Sequence, residues 1–599
     1  MMKETLVQAI QKALTAENIT DIVIQVSIPI DQKHGDYTSN VAMVAAKKIG
    51  KNPFEVAEGL KGTLSEMAVE GIRKIEVVKP GFLNFWLDQE FIIAQLNNSC
   101  HPELVSGSHL LDEMPKQVRH DNEKKQKVMV EFTDPNPFKE FHIGHLYSNI
   151  VGESLSRLLE TEGNEVWRVT YQGDVGLHVA KSLWGMMELF TIEGSPFMDM
   201  NGLEKVDINR RVKFMGEAYA LGSTKYTEDP VIKEEINAIN KKVYAKDSSI
   251  LEIYEKGRAW TLEYFDTIYA RLGSVFKKNY FESVAGPIGL ALVKEHITDG
   301  IFKESEGAII FEGEKHGLHN RVFVNSLGLP TYEAKDMALP GIKAKDYAYD
   351  QSIIITADEQ SAYFKVVLKV LSLMYPELAA KTKHIAHGMV DIKDADGKRM
   401  KMSSRTGNVL TGEWLLDTAK EKIQKAYPDM DADTAEKVAI GSVKYALLKS
   451  SIGKNIEFSF DESISFEGNS GPYLQYTYVR TQSILRKSGC HPELVSGSQT
   501  TEMPKQVRHD KSVLNQEELT LLRTLFQFDE VVAQAADDLA PSHVATYLFD
   551  LAQKFNNFYQ KHKILESDQK IFRIGLTEVV GETIKKGLNL LGIPVPEKM

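Results

Sequence analysis

The chain has 599 residues, of which 43% are hydrophobic and 26% are charged, with a formal net charge of −12 at pH 7. Its length predicts about three to five globular domains, and the sequence has neither a signal-peptide pattern nor an apolar run long enough to span a membrane. Its two cysteines cannot build a disulfide framework or a four-cysteine zinc site, so we expect a cytoplasmic protein without a protein-bound metal. The acidic charge argues weakly against a nucleic-acid partner but does not exclude local basic patches.

Residues 1–98 are predicted to form a separate α/β domain. Leu6, Ile10 and Leu14 have the spacing of an amphipathic helix. The other predicted elements are a strand at 21–26, a helix at 41–48, and a strand, a turn and a strand around 79–87.

A nearly verbatim repeat occurs at 100–121 and 490–510. Copies this far apart in the chain cannot stack as neighbours, which excludes a solenoid. Their prolines, mixed charge and few large apolar residues predict exposed insertions that bury little surface. Cys100 and Cys490 lie inside the copies, so neither cysteine is expected to be catalytic. We assign 99–126 to the first repeat and a linker.

Residues 127–163 have the pattern of a strand, a tight loop and a helix. The apolar, β-branched run 127–132 predicts a buried strand, and a cluster of Asp, Pro and Asn at 134–137 breaks it with turn residues. Leucine and isoleucine then recur at helical spacing from Gly144 until Gly163 ends the helix. This is the opening unit of a nucleotide-binding α/β sheet, in which ligands lie beyond the carboxyl ends of the strands.

His142 and His145 flank Gly144 at the predicted start of this helix. Imidazoles at a helix start can donate hydrogen bonds to phosphate, and the glycine lets a ligand approach the backbone. An alternative for so short a motif is a surface pair or half a metal site. A second motif, the sequence KMSSR at 401–405, follows a strand that is predicted to end at 387–390.

The two motifs together resemble the ATP-binding motifs of class I aminoacyl-tRNA synthetases. The resemblance is closest to the arginyl-tRNA synthetases, because Glu131 precedes the histidines and Lys139 lies three residues before His142. Further motifs that resemble this family lie at 34–40, 52–54, 80–84, 466–480, 549–559 and 591–596. A departure is Val175, where the family turn at 173–176 usually has an aromatic residue.

The resemblance implies an α/β protein: a Rossmann-type parallel-sheet catalytic domain with an N-terminal α/β domain and a C-terminal α-helical bundle. The catalytic domain is expected at 127–412, with a largely helical connective insertion at about 186–300. The domain at 1–98 would contact the outer corner of tRNA. The bundle at 413–599 would bind the anticodon and is interrupted by the second repeat at 489–511.

The resemblance also implies that ATP is a substrate and that Mg²⁺ comes with it, rather than occupying a metal site of the protein. The expected ATP-binding residues are His142, Gly144, His145, Gly388, Met389, Val390, Lys401 and Ser403. The expected catalytic residues are His142, His145, Lys139, Lys401 and Arg405. Ser404 stands where the general class I loop has a second lysine, and Lys139 resembles the residue that replaces it in arginyl enzymes. The alternative for Lys139 is a solvated surface lysine.

Tyr332 and Asp336 lie four residues apart, on one face of a predicted helix. Asp336 together with Glu131 could accept a guanidinium bidentately while Tyr332 packs on its flat face. By resemblance, Asn136, His142 and Gln360 would hold the α-amino and carboxylate end of arginine. On position alone, Asp336 is an ordinary acid on a helix surface.

The tyrosines of the motif at 466–480 are candidates for stacking on tRNA bases. Tyr473, Tyr476 and Tyr478 could stack on unpaired bases and Arg480 could meet phosphate, although a tyrosine stripe at helical spacing is more often core. We expect one of these rings to touch RNA.

The resemblance implies an enzyme that forms arginyl-adenylate from arginine and ATP and transfers arginine to the 2′-hydroxyl of the terminal adenosine of tRNA. We expect a monomer, although the sequence does not determine the oligomeric state. Two alternatives remain open: a class I synthetase for another amino acid, and a non-catalytic tRNA-binding paralogue. For the two repeats, the alternative to passenger sequence is a pair of tRNA-binding arms.

Overall fold

A computed structural model describes residues 2–29, 31–99, 125–192, 197–393, 410–489 and 514–599. Both repeats and the motif at 401–405 lie outside these residues, so the predictions for the repeats and for Lys401, Ser403 and Arg405 concern undescribed parts of the chain.

The N-terminal part forms an antiparallel sheet with strand order β1-β2-β4-β3, accompanied by four helices among the described residues. Its elements are α1 (Met2–Ala16), β1 (Val26–Ser27), β2 (Tyr37–Ser39), α2 (Val41–Ile49), α3 (Pro53–Glu66), β3 (Ile72–Val78), β4 (Phe82–Leu87) and α4 (Gln89–Ser99). The predicted strand at 21–26 was wrong except at its last residue. Asp21 has a left-handed φ of 54°, which a strand cannot accommodate, and Val23 is 82% exposed.

The central part contains a five-stranded parallel sheet with strand order β12-β11-β5-β6-β7 and a smaller antiparallel sheet with order β10-β9-β8. The strands are β5 (Lys127–Glu131), β6 (Glu165–Gln172), β7 (Lys278–Phe281), β8 (Lys303–Ser305), β9 (Ala308–Phe311), β10 (Arg321–Val324), β11 (Gln351–Ala357), β12 (Thr382–His387) and β13 (Val390–Ile392). The chain runs from β5 to β6 and β7 on one side and then crosses to β11 and β12 on the other. The order therefore reverses between β5 and β11, which is where such sheets bind ligands.

The helices of this part cover the sheet and form most of the predicted insertion. They are α5 (Ile143–Thr161), α6 (Leu177–Thr191), α7 (Met200–Glu204), α8 (Ile208–Glu228), α9 (Pro230–Ala245), α10 (Ser248–Leu272), α11 (Glu282–Glu295), α12 (Tyr332–Asp346), α13 (Ser361–Met374) and α14 (Pro376–Lys381). The stretch 186–300 is largely helical as expected, but it also contains β7, which pairs with β6 and extends the parallel sheet. A strand of four residues is too short to show a clear alternation in sequence.

The C-terminal part is mostly helical, as predicted, with the short strand β14 pairing in parallel with β13. Its elements are α15 (Gly412–Ala426), α16 (Ala432–Leu448), β14 (Ile456–Phe458), α17 (Phe460–Ser463), α18 (Gly471–Lys487), α19 (Gln516–Phe526), α20 (Phe528–Asp537), α21 (Ser542–Lys561) and α22 (Lys570–Leu590). Side chains cap the N-termini of several of these helices. At α15, Thr411 Oγ1 accepts the Trp414 N–H at 3.1 Å, and at α16, Asp431 Oδ1 accepts the Thr434 N–H at 2.9 Å.

The chain divides into two units, one of residues 1–116, 476–534 and 546–587, and one of residues 117–475, 535–545 and 588–599. The second unit contains the parallel sheet. Across the described ranges, none of the helices has the combination of length and apolar character that crossing a bilayer demands.

Candidate active site

The two predicted histidines cap helix α5 reciprocally. His142 is the N-cap residue, and its Nδ1 accepts the backbone N–H of His145 at 3.3 Å, while His145 Nδ1 accepts the backbone N–H of His142 at 3.3 Å. The two rings stack with centroids 3.5 Å apart. A Cβ at Gly144 would lie 3.0 Å from the His142 ring, so the glycine lets that ring fold back over the helix start.

This arrangement sets the protonation of both rings. Burial lowers the pKa of His142 to about 4, with the Lys139 charge adding to the effect, and burial likewise holds the pKa of His145 well below its usual value. Both imidazoles are therefore neutral at pH 7. Because each Nδ1 accepts a hydrogen bond, the proton of each ring is on Nε2, and each ring can donate from that atom.

The loop before α5 is held from two sides. Phe138 has a left-handed φ of 66° and is fully buried, its N–H donates to Thr261 Oγ1 at 3.2 Å, and its carbonyl accepts the Ser182 hydroxyl at 3.3 Å. The next residue, Lys139, places its Nζ 4.4 Å from the centroid of the Tyr219 ring. Lys139 is therefore half-buried beside the histidine pair rather than a fully solvated surface lysine.

Asn136 lies against the turn that follows β6. A Cβ at Gly173 would be 2.4 Å from Asn136 Oδ1, so only glycine leaves room for this side chain. The same Cβ would be 3.1 Å from Glu282 Oε1, which places Glu282 beside Asn136. Glu282 forms a buried ion pair with Lys335, with Oε2 and Nζ 2.5 Å apart. Asn136 and this buried ion pair therefore both lie close to Gly173, and Lys335 connects Glu282 to helix α12.

Asp174 fastens the end of β6 to the start of α11. Its carboxylate is fully buried and accepts the Ser283 N–H at 2.8 Å, the Ser283 hydroxyl at 2.7 Å and Arg258 Nε at 2.9 Å. Val175, the residue that departs from the family pattern, is buried, so the turn keeps an apolar contact there.

Glu131 does not have the free carboxylate that the sequence prediction assumed. It forms an ion pair with Lys343, and both side chains are almost completely buried. A carboxylate in such a place needs a compensating charge, and here a lysine of α12 supplies it. That Glu131 shares the guanidinium with Asp336 stays a prediction, and in this structure the Glu131 carboxylate is paired with Lys343.

Asp336 and Tyr332 lie on α12 as the spacing predicted. The Tyr363 hydroxyl donates to Asp336 Oδ2 at 2.6 Å, and burial raises the pKa of Asp336 to about 8, with the neighbouring carboxylates of Glu131 and Glu282 adding to the rise. The Tyr332 ring is 52% exposed, and Lys335 Nζ lies 4.9 Å from its centroid.

Gln360 is exposed at the end of a 3₁₀ turn, Asp358–Gln360, between β11 and α13. It therefore stands at the carboxyl end of β11, on the same edge of the sheet as the loop after β5.

The segment after β12 is tightly engaged by the chain. The Gly388 N–H donates to the Ile452 carbonyl at 2.8 Å, and the Met389 N–H donates to Asn455 Oδ1 at 2.8 Å. A Cβ at Gly388 would lie 2.1 Å from the Lys454 carbonyl oxygen. Val390 belongs to β13 and pairs with β14. The N–H groups of Gly388 and Met389, two residues predicted to bind ATP, thus already have acceptors in this structure.

The predicted tRNA contacts on α18 divide into core and surface. Tyr478 is buried, while Tyr476 is 37% exposed, and the Arg480 guanidinium lies 4.9 Å from the Tyr476 ring and 5.1 Å from the ring of Tyr559. Arg480 also donates to Asn556. Tyr473 is half-buried near the start of the same helix. Tyr476 is the most exposed of the three tyrosines.

Sequence reasoning missed five site residues: Tyr219, Glu282, Lys335, Lys343 and Tyr363. Only Glu282 had a usable signal, because it directly follows β7, and polar residues after parallel strands collect at one edge of a sheet. Lys401, Ser403 and Arg405 lie outside the described residues. Among the described residues, no group of three or more His, Cys, Asp or Glu side chains has the arrangement of a metal site.

Comparison with known proteins decides the family. A family model described as "tRNA synthetases class I (R), catalytic domain" matches residues 108–460, "Arginyl tRNA synthetase N terminal domain" matches 1–87, and "DALR anticodon binding domain" matches 474–599. The chain belongs to the arginyl-tRNA synthetase family.

Individual relatives of this family agree over nearly the full chain. The arginine--tRNA ligase of Fusobacterium nucleatum is 31% identical over 96% of this chain and 95% of its own, and that of Clostridium botulinum is 29% identical over 96% of each. The solved structure of the Thermus thermophilus arginyl-tRNA synthetase has the same fold, with a TM-score of 0.77 and 24% identity over the whole of both chains.

Proposed function

We propose that this member of the arginyl-tRNA synthetase family is an arginine-tRNA ligase that activates arginine with ATP and transfers it to the 2′-hydroxyl of the terminal adenosine of tRNA. The observation that carries the proposal is the pair of neutral histidines at the start of α5. The Asp336 carboxyl on α12 supports it as a second group, suited to a cationic substrate. Such a site combines donors for phosphate with an acceptor for a cationic side chain.

The adenylation step is an in-line attack of the arginine carboxylate on the α-phosphate of ATP, with pyrophosphate leaving. Its catalysis consists of positioning the reactants and neutralising charge on the phosphates. His142 and His145 donate from Nε2 at the start of α5, where the helix dipole also favours an anion. Lys139 supplies a positive charge, and Lys401, Ser403 and Arg405 are proposed to act from the loop at 401–405. Mg²⁺ would come with ATP.

Arginine recognition is proposed to centre on Asp336, whose carboxylate accepts the guanidinium, with the partly exposed Tyr332 ring against its flat face. Glu131, neutralised by Lys343, would shape the pocket without adding a net charge. Asn136, together with Gln360 and His142, is proposed to hold the α-amino and carboxylate end.

The adenine ring is proposed to lie beside the backbone of Gly388, Met389 and Val390. For the Met389 N–H to reach it, Asn455 Oδ1 has to release that donor. On α18, Tyr476 is the proposed stacking platform for a tRNA base and Arg480 the proposed phosphate contact, with Tyr473 near them in sequence. We also propose that the enzyme is a cytoplasmic monomer.

The deciding experiment is aminoacylation of total tRNA with labelled arginine, run beside each of the other labelled amino acids. We expect arginine alone to be attached, and a His142→Ala, His145→Ala variant to lose most activity while still binding tRNA. Attachment of a different amino acid would support the first alternative of the sequence analysis. Binding of tRNA without any aminoacylation would support a non-catalytic paralogue.

A further inference from the structure

The contact between Lys139 and helix α8 carries an inference beyond the proposed function. Lys139 Nζ lies 4.4 Å from the centroid of the Tyr219 ring, within the range of a cation–π interaction. No carboxylate lies within ion-pair distance of Lys139 in the described part of the chain. Burial opposes a low pKa of Tyr219, but the Lys139 charge and hydrogen bonds of the Tyr219 hydroxyl with Ser223 and Lys139 lower that pKa. Tyr219 therefore meets the ammonium with both its ring and its hydroxyl. An aromatic face can hold an ammonium without neutralising it as a carboxylate would.

Helix α8 lies along the loop that carries Lys139. A Cβ at Gly216 would be 3.3 Å from Glu140 Oε2, so this turn of the helix contacts the residue next to Lys139. Tyr219 follows Gly216 by three residues and therefore stands on the same face, one turn farther along. The backbone of Lys139 is in turn fixed by Phe138, which is anchored to Thr261 and Ser182. Both the lysine backbone and the ring therefore have set positions.

We propose that Tyr219 is a positioning residue for Lys139, holding the ammonium toward the histidine pair so that it meets the phosphates of ATP already oriented. The inference rests on the phosphate-binding role proposed for Lys139. A lysine side chain has four rotatable bonds, and its ordering costs entropy unless a neighbour has restricted it beforehand. Tyr219 would supply that restriction from the connective insertion. Lys139 matters here because the motif at 401–405 has Ser404 where the general class I motif has a second lysine.

The test is ATP/pyrophosphate exchange measured with arginine and tRNA present. We expect Tyr219→Leu to lower kcat/KM for ATP about threefold to thirtyfold, the range for a lost cation–π contact, and to leave the KM for arginine unchanged. Tyr219→Phe keeps the ring but loses the hydroxyl that bonds Lys139, so its kcat/KM should lie between those of the parent and Tyr219→Leu. Tyr226→Leu is the matched control, because this ring lies seven residues on in α8 and meets Lys181 Nζ at 4.5 Å instead.

A double-mutant cycle separates this inference from the proposed function. If Tyr219 acts through Lys139, Tyr219→Leu should have no further effect in a Lys139→Ala background. A Lys139→Ala enzyme with unchanged exchange would overturn the role of the lysine and, with it, the inference. Two other outcomes would keep the role of the lysine but overturn the inference about Tyr219. In both, Lys139→Ala impairs exchange; in the first, Tyr219→Leu has no effect, and in the second, the effects of the two changes are additive.

Fluorination controls for a folding defect of the leucine variant. Pentafluorophenylalanine at position 219 keeps the ring shape but removes its electron-rich face, so it should lose as much exchange activity as leucine and more than phenylalanine. Phenylalanine and pentafluorophenylalanine enzymes that both keep the parent's activity would show that the side chain at 219 merely fills space, and the inference would be wrong.

Discussion

If Asp336 binds arginine as proposed, the titration of this residue should make arginine binding depend on pH in a predictable direction. Burial raises the pKa of this carboxyl to about 8, and the Tyr363 hydroxyl, 2.6 Å away, opposes the rise without cancelling it. The carboxyl is therefore mostly protonated at pH 7. A guanidinium binds the carboxylate, so binding arginine at pH 7 must first remove this proton. Because the pKa is raised, the binding form accumulates as the pH increases, and affinity for arginine should strengthen from pH 7 to pH 9.

The size of the effect follows from the same pKa. With a pKa of about 8, the ionised fraction is about one-eleventh at pH 7 and about ten-elevenths at pH 9, which predicts about a tenfold fall in the KM for arginine. Removing the charge with Asp336→Asn should cost about 1.5 to 3 kcal/mol at pH 9, a rise in KM of roughly tenfold to 150-fold. Asp336→Ala should act in the same direction, and neither change should alter the KM for ATP much.

The assay is aminoacylation with saturating ATP and tRNA and varied arginine, at several pH values from 6.5 to 9. Free arginine has an α-amino group that also titrates, so the informative quantity is the difference between the profiles of the parent and Asp336→Asn. Asp346→Asn, at the far end of the same helix, serves as the matched control. An Asn variant with the parental KM at pH 9, or with an equally steep pH profile, would refute the assignment of Asp336 to the arginine pocket.

Three further predictions concern other parts of the chain. The resemblance to arginyl-tRNA synthetases implies that tRNA must be bound before the adenylate forms, so ATP/pyrophosphate exchange should be negligible with arginine alone and should begin when tRNA is added; robust exchange without tRNA would contradict that expectation. Lys343→Met should lower the free energy of unfolding by about 3 to 5 kcal/mol in denaturant titrations, because it leaves the buried Glu131 carboxylate without a compensating charge. Lys345→Met, at an exposed position, should change the free energy of unfolding by less than about 0.5 kcal/mol. Equal effects of the two substitutions would contradict the buried Glu131–Lys343 pair. Deleting 100–121 and 490–510 together should leave kcat and the KM for tRNA within a few-fold, and a loss of tRNA affinity above about tenfold with an unchanged circular dichroism spectrum would show that the repeats bind tRNA.

The parts of the fold that sequence could predict are those that local pattern dictates. The strand, loop and helix at 127–163 were predicted from an apolar run, turn residues and helical spacing, all within one short window. The strand expected at 21–26 failed because an apolar alternation there meets a left-handed Asp21 and an exposed Val23. The strand β7 was missed because four residues show no period.

The candidate site, like the fold, was predictable from sequence only where a local motif determines it. The positions of the histidines followed from their motif, but their reciprocal cap depends on where two Nδ1 atoms point, which sequence does not specify. The partners of the buried acids come from distant parts of the chain: Lys343 for Glu131 and Lys335 for Glu282. Such pairs follow only from the register of the strands and the packing of α12, so the sequence could identify the acids without showing which of them carries an available charge.

The distribution of these charges explains how one pocket can favour a cation. Two buried carboxylates, Glu131 and Glu282, are each neutralised by a lysine of α12. Asp336, which lies between those two lysines in the sequence, instead accepts a hydrogen bond from the Tyr363 hydroxyl. A bound guanidinium compensates the charge of an ionised Asp336, whereas a neutral side chain leaves the buried carboxyl protonated and offers it no charge-assisted bond. If Asp336 meets arginine as proposed, discrimination against uncharged amino acids comes from the cost of ionising Asp336 without a cation. The lysines that bind Glu131 and Glu282 would then contribute to specificity together with the aspartate.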